Sequence, residues 1–187
     1  MNKKLNEYNR KIFKILKNKY HHFQIGFFNS NNILFIGQNP GQPFNDTQRQ
    51  QIKNLSNYNE YLKYEKKYTE QWKTSLFGEA IGKIIDNKWE LISFTNLIKI
   101  PTIDNEIPSK QMIDQFMPIM QQQIKLLQPK TVVCVGKFVG KLFNLINFYD
   151  ARKINDILYI LIPHPSFLYR TNTFDKECIN IKQIINI

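Results

Sequence analysis

Ile33-Leu34-Phe35-Ile36-Gly37-Gln38-Asn39-Pro40-Gly41 is the stretch on which the fold turns. Four apolar residues in a row stop abruptly at glycine, two amides and a proline. That pattern reads as a strand buried on both faces that ends in a shaped loop. It returns near the other end of the chain. There Ile157-Leu158-Tyr159-Ile160-Leu161-Ile162 runs into Pro163-His164-Pro165-Ser166-Phe167-Leu168-Tyr169-Arg170. Two further strands are expected between them, one over about 90–95, ending at Thr95-Asn96, and one over 131–135, stopping at Gly136-Lys137. In an open α/β sheet, ligands bind outside the carboxyl ends of the strands. The chain should therefore deliver Gln38, Asn39, Asn96, Lys137 and His164 to one rim.

The segments between the strands carry helical signals. Leu5, Tyr8, Ile12, Ile15, Leu16 and Tyr20 recur at helical spacing, and Phe13 widens that apolar face. The resulting amphipathic helix suits packing on the domain better than a membrane surface. Tyr58, Tyr61, Tyr64, Tyr68 and Trp72 form a second stripe, beside Lys63, Lys66 and Lys67. Packing against the body is one use of it, nucleic-acid contact another. Further helices are expected from about residue 76, from Ser109 as N-cap through about 127, from 137 through about 146, and over 174–185. The order, α then β-α-β-α-β-α-β-α, predicts an α/β fold: a three-layer α/β/α sandwich on a central four-stranded parallel sheet. Neither a repeat nor a linker divides the chain. Residues 1–187 read as a single domain, with 1–30 an N-terminal amphipathic helix packed on the core.

The chain has 187 residues and a net charge of +11, which suggests a polyanionic partner, nucleic acid before membrane. Cys134 and Cys178 are too few for a four-thiolate site and do not suggest a disulfide framework. The adjacent pair His21-His22 would diverge on a helix and is poor metal evidence. No apolar stretch is long enough to span a membrane, and the charged N-terminal segment is unlike a signal peptide. An intracellular protein is expected. P-loop, dinucleotide-binding and nucleophile-elbow patterns are missing.

Each polar candidate has an ordinary alternative. Asn39 fits a turn as well as a ligand site. His164 stands where structural histidines often stand, although two flanking prolines would aim its ring. Asn96 offers a donor and an acceptor together, which could pair with a complementary polar edge of a ligand or cap a turn. Phe77, before Gly78-Glu79, could stack on a ligand or fill the core, and Phe44 is a competing stacking candidate.

These segments resemble the motif pair of the uracil-DNA glycosylase superfamily. Gly37-Gln38-Asn39-Pro40-Gly41, continued by Gln42-Pro43-Phe44, is similar to the asparagine type of the first motif, found in mismatch-specific and single-strand-selective members. Phe77-Gly78-Glu79 resembles a piece of the single-strand-selective type. Thr95-Asn96-Leu97-Ile98-Lys99, Gln128-Pro129-Lys130 and His164-Pro165-Ser166-Phe167-Leu168-Tyr169-Arg170 look like family 4. The resemblance covers residues 32–185.

It implies that Asn39 places the attacking water and that His164 stabilises the departing base at O2. Gln38, Phe77 and Asn96 would form the substrate pocket, Phe77 stacking on the base and Asn96 reading its edge. Ser166 would meet a phosphate. Phe167 or Leu168, with Leu168 favoured, would be the wedge filling the gap left by a flipped nucleotide. Lys99, Lys137 and Arg170 would contact the backbone. Family 4 has an acidic residue at the place of Gln38 and an iron–sulfur cluster on four cysteines. Ile100 and Phe116 stand at two of those cysteine positions, so neither cluster nor other metal or cofactor is expected. The expected function is a monofunctional DNA glycosylase for uracil. Another base, such as hypoxanthine or a modified pyrimidine, and an inactive DNA-binding module are the alternatives. The expected partner is DNA, single- or double-stranded, with no membrane, and the expected state is a monomer.

Overall fold

The computed structural model describes residues 2–41 and 46–185. Along the chain run α1 (Lys3–Lys19), β1 (Phe27–Phe28), β2 (Ile33–Gly37), α2 (Asp46–Asn54), α3 (Tyr58–Lys73), α4 (Leu76–Ile84) and β3 (Ile92–Asn96). They are followed by α5 (Lys110–Leu127), β4 (Thr131–Val135), α6 (Lys137–Leu142), β5 (Ala151–Ile154), β6 (Ile157–Ile162), α7 (Pro165–Arg170) and α8 (Phe174–Ile185). The strands form one sheet in the order β1-β3-β2-β4-β6-β5.

The four expected strands are present and mutually parallel. The expectation of a four-stranded sheet is corrected to six, because β1 and β5 add antiparallel edges. Neither had a buried apolar run to announce it. β1 is two residues long, and Ala151-Arg152-Lys153 of β5 are exposed. Charged residues on an edge strand also discourage pairing with another chain.

Successive side chains of a strand point to opposite faces, and the core divides accordingly. Leu34, Ile36, Val132, Cys134, Tyr159 and Leu161 pack under α1, α3, α5 and α6. Ile33, Phe35, Val133, Val135, Ile160 and Ile162 pack under α4, α7 and α8. The result is three layers. In α1, Asn2 caps the N-terminus, and Leu5, Ile12, Phe13 and Leu16 are buried. The tyrosine stripe is packing: Tyr58, Tyr61, Tyr64 and Tyr68 are buried in α3. Phe13 meets Tyr58 at 5.8 Å and Tyr61 at 5.3 Å between ring centroids.

Two expectations shift at helix ends. The helix after β4 closes at Leu142, earlier than 146. Residues 165–170, expected as loop, are helical, because Pro165 supplies a fixed φ at the first position and His164 caps it.

The parallel strands end level. Gly37 lies opposite Asn96, and Val135 opposite Ile162. The loops after all four strands therefore emerge side by side.

The α3–α4 corner is unusually tight. A Cβ at Gly78 would fall 2.1 Å from the carbonyl oxygen of Trp72 and 2.7 Å from Lys73 Cα. An exposed helical Gly→Ala change is ordinarily stabilising by about 1 kcal/mol. At this corner the clash with backbone reverses the sign. Gly78→Ala should lower stability by about 1–3 kcal/mol, read as a lower urea midpoint with an unchanged slope. Gly41→Ala, where no described residue lies within 4 Å of the added Cβ, is the control and should move far less.

Candidate active site

A cleft of about 480 Å³ opens at the level strand ends. Its floor begins with the β2–β3 register. Pairing continues past the strands, with Leu97 N–H donating to Gly37 O and Ile98 N–H to Gln38 O, both at 2.9 Å. A Cβ on Gly37 would meet Asn96 Oδ1 at 2.5 Å, so only glycine leaves room for that amide. Asn96 is 4% exposed, lines the cleft, and donates through Nδ2 to Gln24 Oε1 at 3.4 Å. Gln38 donates to Asn39 Oδ1 at 2.9 Å and to Glu106 O at 3.0 Å. Asn39 Nδ2 donates to Pro40 O at 3.0 Å. Both amides of the first loop are thus held and half-buried at the cleft wall.

His164 faces them from the end of β6. Its Nδ1 accepts from Ser166 N–H at 3.2 Å and lies 2.7 Å from Ser166 Oγ. An Nδ1 that accepts carries no proton. The neutral ring must then carry its hydrogen on Nε2, which is left to donate. The imidazole is exposed at the rim yet crowded by protein. That desolvation, with the positive charge of Arg170, holds its pKa below the usual imidazole value. The neutral donor form therefore prevails at neutral pH.

Aromatic rings wall the cleft. Phe77 lies parallel to His164, with centroids 5.1 Å apart and 16° between planes. Trp72 and Phe94 meet Phe77 edge-on at 5.6 and 5.8 Å. Tyr68 and Ser75 complete the lining. Among the described lining residues there is no carboxylate and no lysine. Phe44, the competing stacking candidate, lies outside the described residues.

The outer rim corrects two expectations. Leu168 is 1% exposed and packs in the core, so it has no side chain to insert into a base stack. Helical periodicity turns it inward and its neighbour outward; Phe167 is 44% exposed. Lys99 is completely buried and cannot touch a nucleic-acid backbone. Lys137 and Arg170 are exposed, as a backbone contact requires. Lys137 Nζ sits 5.2 Å over the ring of Phe148, and that ring is 6.2 Å from Phe167. Ser166 is half-buried, and its carbonyl accepts from Arg170 Nε at 3.2 Å.

The sequence reading missed Gln24 and Phe148. Neither sits in a motif; the segment before β1, tied to Lys99 O through Gln24 N–H, and the loop before β5 bring them there. Of the two residues expected at cluster-cysteine positions, Ile100 is half-buried, and Phe116 is buried with its ring centroid 6.2 Å from that of Tyr20. Among the described residues, no group of three or more His, Cys, Asp or Glu gathers that could hold a metal.

This is an open α/β protein whose cleft, among the described residues, offers amides, a neutral imidazole and aromatic faces and no carboxylate. The uracil DNA glycosylase superfamily model matches residues 25–185, and the chain belongs to that superfamily. With membership come DNA as substrate and glycosylase hydrolysis as the class of reaction. Comparison with curated proteins gives no match. Among the described residues no helix is long and apolar enough to cross a membrane.

Because Arg170 helps to depress the His164 pKa, Arg170→Gln should raise it toward the ordinary value. NMR titration of the imidazole reads this directly. An unchanged pKa would show that desolvation acts alone.

Proposed function

We propose that the protein excises uracil from DNA as a monofunctional glycosylase, leaving an abasic site. The observation that supports this best is the Nε2–H donor of a neutral His164 beside two amides in one cleft. Hydrolysis breaks the bond from the base N1 to C1′ of the sugar. The electron pair leaves on the base, and its negative charge concentrates on O2. A neutral Nε2–H aimed there strengthens as charge develops, whereas it gains less from the uncharged ground state. Asn96 pairs through Nδ2–H with O4 and through Oδ1 with N3–H. Cytosine presents the reverse pattern at these positions and leaves both groups unsatisfied.

Phe77 supplies the aromatic face, and base stacking on such a ring is worth about 1–3 kcal/mol. The imidazole lies on that face here, so a stacked base would displace it toward the pyrimidine edge. Asn39, held by Gln38, orients water toward C1′. An amide takes up no proton, so its contribution is placement of the water. The described lining offers no lysine to form a Schiff base with the sugar, in keeping with hydrolysis and no lyase step.

Flipping a base out of the stack costs a few kcal/mol. Phe167, with Phe148 behind it, is the exposed apolar group suited to fill the gap. Lys137, Arg170 and Ser166 would meet phosphates on either side.

The test is a labelled oligonucleotide with one uracil, single-stranded, opposite G and opposite A, treated with alkali. Strand breaks should appear only after alkali. His164→Ala should slow excision by about 10²–10³-fold, the loss typical of one donor to a developing anion. Asn39→Ala should lower the rate with little change in DNA affinity. Excision surviving both substitutions would refute the site. Salt-sensitive binding without breaks would point to another base or to a binding module. Arg170→Ala should reduce the steepness of the salt dependence by about one contact.

A further inference from the structure

Behind Asn96 lies a buried polar network that the reaction itself does not use. Lys99 Nζ donates to Thr95 Oγ1 at 2.5 Å, to Asn96 O at 2.7 Å and to Gln123 Oε1 at 2.7 Å. Three acceptors match the three hydrogens of an ammonium. Thr95 Oγ1 passes its own hydrogen to Ile25 O at 2.9 Å, and Gln123 Nε2 donates to Asn9 Oδ1 at 2.9 Å. The segment 24–26 is gripped from both sides. Gln24 N–H donates to Lys99 O at 2.7 Å. Ile25 N–H donates to Tyr61 Oη at 2.9 Å, and Tyr61 donates to Glu65 Oε2 at 2.7 Å. Glu65, 5% exposed, also accepts from the backbone of Gly26. The free end of this assembly is the Asn96–Gln24 contact in the cleft wall.

A lysine with no access to water is costly to keep charged unless it is paired and hydrogen-bonded. We propose that Lys99 is a positioning residue for base recognition: its ammonium, balanced by Glu65, locks Asn96 and Gln24 in the reading arrangement, and the lock holds only while Lys99 is protonated. This rests on the reading of Asn96 as the group that recognises the base.

Burial pushes Lys99 down to about 7, against the opposing charge of Glu65. Burial likewise pushes Glu65 up to about 7, against the hydrogen bonds from Tyr61 and Gly26 and the charge of Lys99, so its carboxylate takes up a proton as pH falls through the same range. The groups facing Lys99 from the other elements are neutral: Thr95 of β3, Gln123 of α5 and, through it, Asn9 of α1. Tyr61 is held neutral by burial. A lysine is charged below its pKa. As pH rises through about 7, Lys99 becomes an amine with two hydrogens and must release one of its three acceptors. His164 runs the other way, because it must be neutral to donate. Excision should therefore fall on both sides of an optimum, the acid limb set by His164 and by protonation of Glu65, the basic limb by Lys99.

The experiment measures single-turnover excision of uracil from about pH 5 to 10, together with the Asn96 side-chain amide NMR resonance over the same range. Wild-type protein is compared with Glu65→Gln and Lys99→Met. Glu65→Gln removes the counter-charge, so the basic limb and the Asn96 transition should both move to lower pH by about one unit. Lys99→Met should abolish both and slow excision by about 10²-fold through misplacement. A purely structural role would leave limb and resonance where they are in Glu65→Gln, and would overturn the proposal. Should Lys99→Met fail to fold, the Glu65→Gln comparison still decides. Should wild-type protein release no uracil, the uracil reading falls. The Asn96 resonance would then decide on the lysine alone.

Discussion

The parallel register that sets Gly37 opposite Asn96 is the constraint on which the site depends. It brings the loop after β2 and the loop after β3 to the same height, and the missing Cβ of Gly37 makes room for the Asn96 amide between them. A slip of one residue would send each side chain of β3 to the opposite face. Asn96 would then leave the cleft, and the apolar residues beneath the helices would trade places. The same sheet sets Val135 beside Ile162, so Lys137 and His164 emerge two residues later at the same rim. Core packing and site geometry are thus fixed by one set of backbone hydrogen bonds.

Electrostatically the described lining of the cleft presents neutral groups. The described lining has no carboxylate, and the imidazole is kept neutral by crowding and by Arg170. A neutral donor suits a leaving group that becomes anionic only as the bond breaks. It does not hold the ground state in an ion pair. The charges that the fold does bury, Lys99 and Glu65, stand one layer back, where they act on the backbone of Asn96 and on the segment 24–26. The described lining stays polar without being ionic, and the net positive charge of the chain suits a DNA substrate.

At the rim, a short helix replaces what would otherwise be a flexible loop. His164 caps α7 through the same Nδ1 that fixes its tautomer, so helix capping and donor orientation are one interaction. That helix turns Leu168 into the core as an anchor and leaves Phe167 outside. The exposed Phe167 ring therefore stands on a helix anchored in the core, with Phe148 and Lys137 beside it.

Much of this was legible in the chain. Four short strand-like segments, most of them continuous apolar runs and each closed by Gly, Pro or an amide, determined the parallel strands, and hence the rim where Asn39, Asn96, Lys137 and His164 collect. Strand length, periodicity and turn chemistry are local properties, and sequence carries them. The edge strands β1 and β5 were not legible, because two residues or a charged alternation give no local signal. Only the open flanks of a formed sheet recruit them. Lys99 read as a surface cation because composition cannot tell an ammonium in water from one satisfied by three acceptors drawn from β3 and α5. Leu168 read as a wedge because nothing local says that the residues after Pro165 turn into a helix packed on the core. Gln24 and Phe148 lie outside any motif and reach the site through long-range packing alone. The sequence by itself determined the elements and the chemistry carried to their ends; burial, which depends on every layer at once, decided which of those side chains face the cleft.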